Sequence, residues 1–352
     1  MKGYADLLKE VREDHEKRSS GLGKDDKVLI IDGLNSFIRV FSAVPLVNDD
    51  GDHIGGSIGF LRSIAAAIRQ FKPTRCIIVF DGKGGSARRK KMYSGYKDGR
   101  AMSTKFNRRE DVGFQTVEEE LASMRHQMGQ LAEYLQCLPI TFMSIDNIEA
   151  DDAIAYLTTE VFEPKKSEVI IMSDDKDFLQ LISETTSVWR PVEKKYYTPK
   201  EVLEKFGIPS HNFIHYKVFM GDNSDNIKGI KGIGIKTLIG KYPMLLEENT
   251  KTLEDIIDYT VQRKDEHRVY KLVSDNENTL KLNWDLMSLR DLNISGNIKL
   301  LIADIANNPI PSMNVYKFKK IFMLDKAYTA IPNVDSWLSN SFNSLAAFSK
   351  IN

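Results

Sequence analysis

Short unbroken apolar runs punctuate the first half of the chain, and three of them stop on an aspartate. Val28, Leu29, Ile30 and Ile31 precede Asp32; Cys76, Ile77, Ile78, Val79 and Phe80 precede Asp81; Val169, Ile170, Ile171, Met172 and Ser173 precede Asp174 and Asp175. Runs of this length, rich in β-branched residues, predict strands buried on both faces of a parallel sheet. Between them the apolar spacing changes to a helical period. Helices are predicted over 54–71 (Ile54, Ile58, Leu61, Ile64, Ala65, Ile68), 117–136 and 148–162. From Lys27 to about Gly207 the alternation is that of an α/β domain, and from Pro209 onward the pattern is helical. Residues 3–18 read as a short amphipathic helix (Tyr4, Leu7, Leu8, Val11), followed by a flexible linker at 19–23.

The aspartates give this architecture its chemistry. In a parallel sheet, ligands bind outside the carboxyl ends of the strands, so three strands aim carboxylates at one crevice. Two more acidic clusters join them: Glu149, Asp151 and Asp152 at the start of an apolar helix, and Asp222 and Asp225 before a glycine-rich turn. Any one of these acids could be a turn former or a helix cap. All five clusters within one domain-sized span call for a divalent cation to neutralise them. Mg²⁺ takes oxygen ligands, and a pair of ions roughly 3.5–4 Å apart can hydrolyse a phosphodiester. The expectation is a metal-dependent hydrolase.

Composition sharpens this. The 352 residues carry 49 basic and 49 acidic side chains, so the bulk charge selects no partner. Its distribution does: from Lys83 to Arg109 ten Lys or Arg face a single acid, Asp98, with Tyr93 and Tyr96 interleaved. Cations of this kind neutralise phosphates while tyrosine faces stack on bases. The two cysteines lack zinc spacing and are expected as buried thiols in a reducing compartment. The six histidines form no metal motif. The charged N-terminus has no signal-peptide core and no run is long enough to span a membrane, which predicts a soluble, cytoplasmic protein. Gly229 to Thr237, with Gly232, Gly234 and Lys236, would bring backbone amides close to a phosphate.

In combination, Ile31-Asp32-Gly33, Phe80-Asp81-Gly82, the basic Tyr96-Lys97 segment, Glu149-Ala150-Asp151-Asp152, Ser173 to Phe178 and Gly221 to Asn226 resemble the structure-specific 5′ nucleases. That superfamily includes flap endonucleases, the 5′-nuclease domains of bacterial DNA polymerases and phage 5′ exonucleases. The resemblance covers roughly residues 27–240 and is nearest the T-even-phage RNase H branch. It implies a PIN-like fold, with a mainly parallel central sheet flanked by helices and a helical C-terminal domain carrying a helix–turn–helix. The expected divisions are an arm at 1–24, the α/β nuclease domain at 25–207 with a basic arch at about 83–116, and the helical domain at 208–352 with the helix–turn–helix at about 215–241.

Carried over residue by residue, the resemblance implies a tighter metal site from Asp32, Asp81, Glu149, Asp151 and Asp175, and a second from Asp152, Asp177, Asp222 and Asp225. The family pattern Asp-x-Asp meets Asp174-Asp175-Lys176-Asp177 here. Aligning on Asp-Lys-Asp-Phe selects Asp175 and Asp177 and leaves Asp174 as a spare; a shift of one residue would change that. Lys97 and Arg100 would approach the scissile phosphate, Arg88, Arg89 and Tyr96 would hold the strand, and Gly232, Gly234 and Lys236 would grip duplex DNA. The implied cofactor is two Mg²⁺ ions, with Mn²⁺ as a substitute. The implied substrates are DNA with a 5′ flap or free 5′ end and RNA–DNA hybrids, cleaved to 5′-phosphate products by a monomer. RNA-primer removal in phage DNA replication, inside the infected bacterial host, would be the role. A sliding clamp and a single-strand-binding protein are the implied partners, with Tyr4, Leu7 and Leu8 or Phe342, Leu345 and Phe348 as docking tags; ordinary helix packing is the competing account of both. A PIN-like ribonuclease lacks the basic insert and the Gly-Asp-x-x-Asp segment. A non-catalytic junction-binding protein would have no need of so many acids beside phosphates.

Overall fold

The computed structural model describes residues 23–98, 113–290 and 292–350. The expected helix over 3–18, with Tyr4, Leu7 and Leu8, lies outside these residues, as do Arg100, Lys105, Arg108 and Arg109. Six strands form the central sheet: β1 (Lys27–Asp32), β2 (Arg75–Phe80), β3 (Thr141–Ser144), β4 (Glu168–Met172), β5 (Thr186–Arg190) and β6 (Lys195–Tyr197). Their order is β3-β2-β1-β4-β5-β6, with every neighbouring pair parallel except the antiparallel β5–β6 edge. The three apolar runs are thus the three central strands. β3 and β6 are shorter, and β3, β5 and β6 are more polar, so their alternation does not stand out from the neighbouring loops.

Helices α1 (Gly33–Ala43), α2 (Ser57–Phe71), α3 (Ala87–Met92), α4 (Val117–Leu135) and α5 (Ala150–Tyr156) follow. A capping box starts α4: Thr116 and Glu119 satisfy each other's backbone N–H groups, ahead of an acidic first turn that favours the helix dipole. The helix expected over 148–162 begins as α and widens into a π turn at Leu157–Phe162. There Thr158 and Thr159 donate to carbonyls four residues back, a pattern that bends helices. The C-terminal part contributes α6 (Pro199–Phe206), α7 (Phe213–Met220), a hairpin of β7 (Gly221–Asp222) and β8 (Ile227–Lys228), α8 (Ile235–Lys241), α9 (Leu253–Gln262), α10 (Arg268–Asp275), α11 (Glu277–Met287), α12 (Gly296–Asn307), α13 (Val315–Leu324) and α14 (Val334–Ala346).

Because side chains alternate along a strand, each central strand feeds two cores. Val28, Ile30, Ile77, Val79, Val169 and Ile171 pack beneath α5, α7 and α11. Leu29, Ile31, Cys76, Ile78, Ile170 and Met172 pack against α1, α2, α4, α13 and α14. The stretch expected as one helical C-terminal unit is therefore shared between both faces of the sheet: α7 to α12 build on the first face and α13 and α14 close the second. Polar ties fix the return, with Arg69 donating to Ser341 at 2.6 Å and Tyr134 to Asp325 at 2.8 Å. Phe342 and Leu345 are buried in that layer and Phe348 is also buried, so helix packing accounts for them and the docking-tag reading does not hold. Both cysteines are buried and free. Among the described residues no helix is long and apolar enough to cross a membrane.

Candidate active site

The carboxyl ends of β1, β2 and β4 open into a cavity of about 300 Å³. Asp32 ends β1 and caps α1: one oxygen accepts the Asn35 N–H at 3.1 Å and the other the Ser173 hydroxyl at 2.9 Å. Asp81 is held by the start of α5, accepting the Ala150 N–H at 2.7 Å. Gly82 makes that approach feasible, since a Cβ there would lie 1.6 Å from the Ile145 carbonyl oxygen. Asp175 accepts the Asp177 N–H at 2.9 Å and its own N–H donates to Ser173 at 3.1 Å. Asp32, Asp81, Asp151, Asp175 and Asp225 all line the cavity. Asp174, the spare in the sequence, lines it too, held by the Val192 N–H at 2.9 Å and by Arg39 at 3.5 Å.

Charge in this cavity is unbalanced. Burial, then the facing Asp175 and Asp81 carboxylates, pushes the Asp32 carboxyl up to about 7. Burial followed by Asp175 and Asp32 raises Asp151 well above the usual carboxylate range. Among the described residues no three acidic, His or Cys side chains form a ready-made ion cage. A converging donor set of hard oxygens, buried at Asp32, half-buried at Asp151, Asp175 and Asp225 and open to solvent at Asp81, nevertheless fits a divalent cation.

The other four expected ligands have basic partners. Glu149 is gripped by Arg89 and lies 2.5 Å from the Lys97 ammonium. Burial works to raise its pKa, but Arg89 and Lys97 outweigh it and hold the carboxyl below its ordinary value. Asp152 forms a two-pronged pair with Arg89 at 2.8 and 2.7 Å. Arg89 also donates to the Leu286 carbonyl at 2.8 Å, tying α3 to α11. Asp177 and Asp222 share Lys217, whose ammonium lies 2.5 Å from each. Burial and the neighbouring Asp175 push Asp177 up to about 7; burial also acts against ionised Asp222, but Lys217 and Ser224 bring it down to about 2.

Two strand-holding expectations need correction. Arg89 and Tyr96 are each only 3% exposed, and both are turned toward Glu149, so neither presents its polar atoms to a strand. Arg88 is half-buried beside them. Lys97 does reach the cavity wall. Its backbone is left-handed (φ 58°) and its N–H donates to the Asp225 carbonyl at 2.9 Å, while Asn226 donates to Gly95, also at 2.9 Å. The base of the basic segment is therefore locked to the Asp222–Asp225 loop.

The glycine turn lies between α7 and α8. Ile230 and Ile233 are buried and pin it, leaving Gly232, Gly234 and Lys236 exposed. Gly232 and Lys236 line a second groove, of about 710 Å³, whose far wall holds His267 and Arg268. Sequence reading missed Lys217, Arg39 and Arg268. Lys217 was legible, as the one charge in the apolar helix Phe213–Met220; nothing local marks the other two.

Comparison with known proteins agrees with this geometry. Residues 27–207 match the family model for the 5′–3′ exonuclease N-terminal resolvase-like domain. A 5′–3′ exonuclease of Aquifex aeolicus is 33% identical over 60% of this chain and 66% of its own length. A 5′–3′ exonuclease of Buchnera aphidicola is 30% identical over 85% of this chain and 98% of its own. DNA polymerase I of Bacillus subtilis is 33% identical over 65% of this chain, which spans only 24% of that polymerase. Apart from the Buchnera protein, the chain thus spans no more than about two thirds of these relatives. In fold it is similar to the bacteriophage T5 5′-exonuclease solved with zinc ions (TM-score 0.58, 19% identity, 85% of this chain and 99% of that one). It is also similar to human GEN1 solved with Holliday junction DNA (TM-score 0.52, 12% identity, 91% of this chain and 73% of that one). Matched through its whole α/β layer and along nearly the full Buchnera exonuclease, the chain belongs to the 5′–3′ exonuclease family of nucleases.

Proposed function

We propose that this protein is a metal-dependent 5′ nuclease that hydrolyses phosphodiesters in DNA bearing a 5′ flap or free 5′ end and in RNA-primed duplexes. The observation that carries the reading is the cavity itself: six aspartates from five separate segments line it, Asp174 among them, with Lys97 on its wall. Asp32, Asp81, Asp151, Asp175 and Asp225 would hold Mg²⁺, or Mn²⁺ in its place. Such an ion, when bound, lowers the pKa of water and offsets charge growing on the phosphate. That a T5 5′-exonuclease of similar fold binds divalent zinc supports the metal-dependent reading.

The chain's own groups do the rest. Lys97 neutralises charge developing on a phosphate at the cavity wall, and Arg100, three residues on, is assigned the same task by family resemblance. Arg88 and the exposed Lys90 and Lys91 hold the single strand, while Gly232, Gly234 and Lys236 take the duplex backbone without reading bases. In-line attack of water would leave a 5′-phosphate and a 3′-hydroxyl. Removal of flaps or RNA primers during DNA replication, in a phage-infected cell or in a bacterium, is the biological role this chemistry serves. Clamp and single-strand-binding proteins are the proposed partners.

The test uses 5′-labelled flapped and RNA-primed duplexes with wild type and Asp151→Asn, in Mg²⁺ or EDTA. Cleavage near the junction by wild type alone, and only with Mg²⁺, is the expected result. Tight binding without cleavage under any divalent metal would overturn it and leave a junction-binding protein.

A further inference from the structure

Lys217 has no place in the reading above, yet it is among the most deeply set cations near the site. It is 4% exposed, and its ammonium sits 2.5 Å from both Asp177 and Asp222. Burial works against its charge, but the two carboxylates more than compensate and keep it firmly protonated. The side chain leaves α7 at its last turn, where the Lys217 carbonyl accepts the Gly221 N–H, so its base is fixed by the helix end. Asp222 is fixed from the other side by the Ser224 N–H and hydroxyl at 2.7 and 2.6 Å. Withdrawal of Lys217 would leave both half-buried carboxylates without their shared cation.

The nine acids thus fall into two groups by environment. Five line the cavity, and four are neutralised by Arg89, Lys97 and Lys217. A divalent ion placed between Asp177 and Asp222 would meet the ammonium at close range in a buried setting, where like charges repel strongly. A lysine ammonium can do part of what such an ion does there: it cancels carboxylate charge and fixes both side chains. It cannot acidify a bound water or leave.

We infer that Lys217 is a built-in cation that occupies the Asp177–Asp222 pair in place of a divalent metal, so that divalent ions bind this chain only at the strand-end cavity. This rests on the proposed metal cavity and deepens it, by fixing which acids belong to metal and which to protein. It follows that removing the ammonium creates an ion site where none existed.

The experiment counts bound Mn²⁺ by electron paramagnetic resonance of the free ion, using the full chain without DNA. Wild type, Lys217→Met, Lys217→Arg and the double variant Lys217→Met/Asp177→Asn are compared, with thermal melting recorded with and without Mn²⁺. Lys217→Met is expected to bind one Mn²⁺ more per chain than wild type and to gain more melting temperature from Mn²⁺. Lys217→Arg, which keeps the charge, should match the wild-type count, and the double variant should lose the additional ion. Equal counts in wild type and Lys217→Met overturn the inference, as does an additional ion that survives Asp177→Asn. Should Lys217→Met fail to fold without metal, recovery of cooperative melting by Mn²⁺ in that variant supports the inference, and no recovery overturns it. Asp151→Asn separates the two readings: loss of the wild-type ion in that variant tests the cavity and leaves the Lys217 comparison untouched.

Discussion

At the scale of single residues, opposite electrostatic fates meet in a few ångströms. Asp32 is raised to about 7 while Asp222 is lowered to about 2, although both are strand-associated aspartates in a family motif. The difference is that Asp32 is buried and faces other carboxylates, while Asp222 is less buried and has Lys217 beside it. A carboxyl raised in the folded state contributes stability that is complete below its unfolded value, near 4, and lost as pH rises through about 7. The metal-free protein should therefore melt at a lower temperature at pH 8 than at pH 5.5 as far as this cluster is concerned, and Mg²⁺ should restore more at the higher pH. Asp32→Asn should reduce both effects in melts recorded with EDTA and with Mg²⁺; an unchanged pH dependence would contradict the assignment. Arg89 makes the converse case. Arg89→Met strands Glu149 and Asp152 as buried, partly unpaired charges, and should cost about 3–5 kcal/mol in urea unfolding. A residue whose only task was to hold a solvent-exposed strand would cost well under about 1 kcal/mol.

Among the elements, the small β7–β8 hairpin carries the most consequence for its size. Gly221 has φ 71°, and a Cβ there would lie 2.3 Å from the Gly229 nitrogen, so the hairpin closes only around a glycine. It presents Asp222 to Lys217 and Asp225 to the cavity, and holds Lys97 through the Asp225 carbonyl. Gly221→Ala should destabilise the fold by about 2–3 kcal/mol, measured by thermal or urea unfolding. Cleavage at saturating Mg²⁺ should fall further than the unfolded fraction accounts for, because three groups move together. The helices over 54–71 and 117–136 were legible from their apolar period to within a few residues. The hairpin was not: its four strand residues are too few for a period, and only the glycines and the Asp-x-x-Asp spacing hint at it.

Across the whole molecule, the chain covers its sheet from both ends. The second face is closed by α13 and α14, from the last forty or so positions, with Phe342 and Leu345 fully buried between them and α2. Phe342→Ala should cost about 3–5 kcal/mol by urea unfolding, the range for emptying a buried aromatic site. Mg²⁺ binding at 25 °C should survive wherever the variant remains folded, because the cavity opens at the strand ends. If instead Phe342 served as an exposed docking tag, its loss would leave stability within about 0.5 kcal/mol.

By itself the sequence determined that a parallel sheet exists, which three strands form its centre, and that aspartates end them, because unbroken β-branched runs can be buried on both faces only in such a sheet. It also located the acidic clusters, the basic segment and the glycine turn, since each is contiguous. Tertiary structure alone decided how those acids divide. Whether a carboxylate faces other carboxylates or a buried Arg89 or Lys217 depends on contacts made across 63 residues for Arg89 and Asp152 and across 40 for Lys217 and Asp177. It decided, too, that Tyr96 and Arg89 turn inward and that the C-terminal helices return to the second face. Local pattern records which residues want to be buried; only the closed fold determines which partner each one meets there.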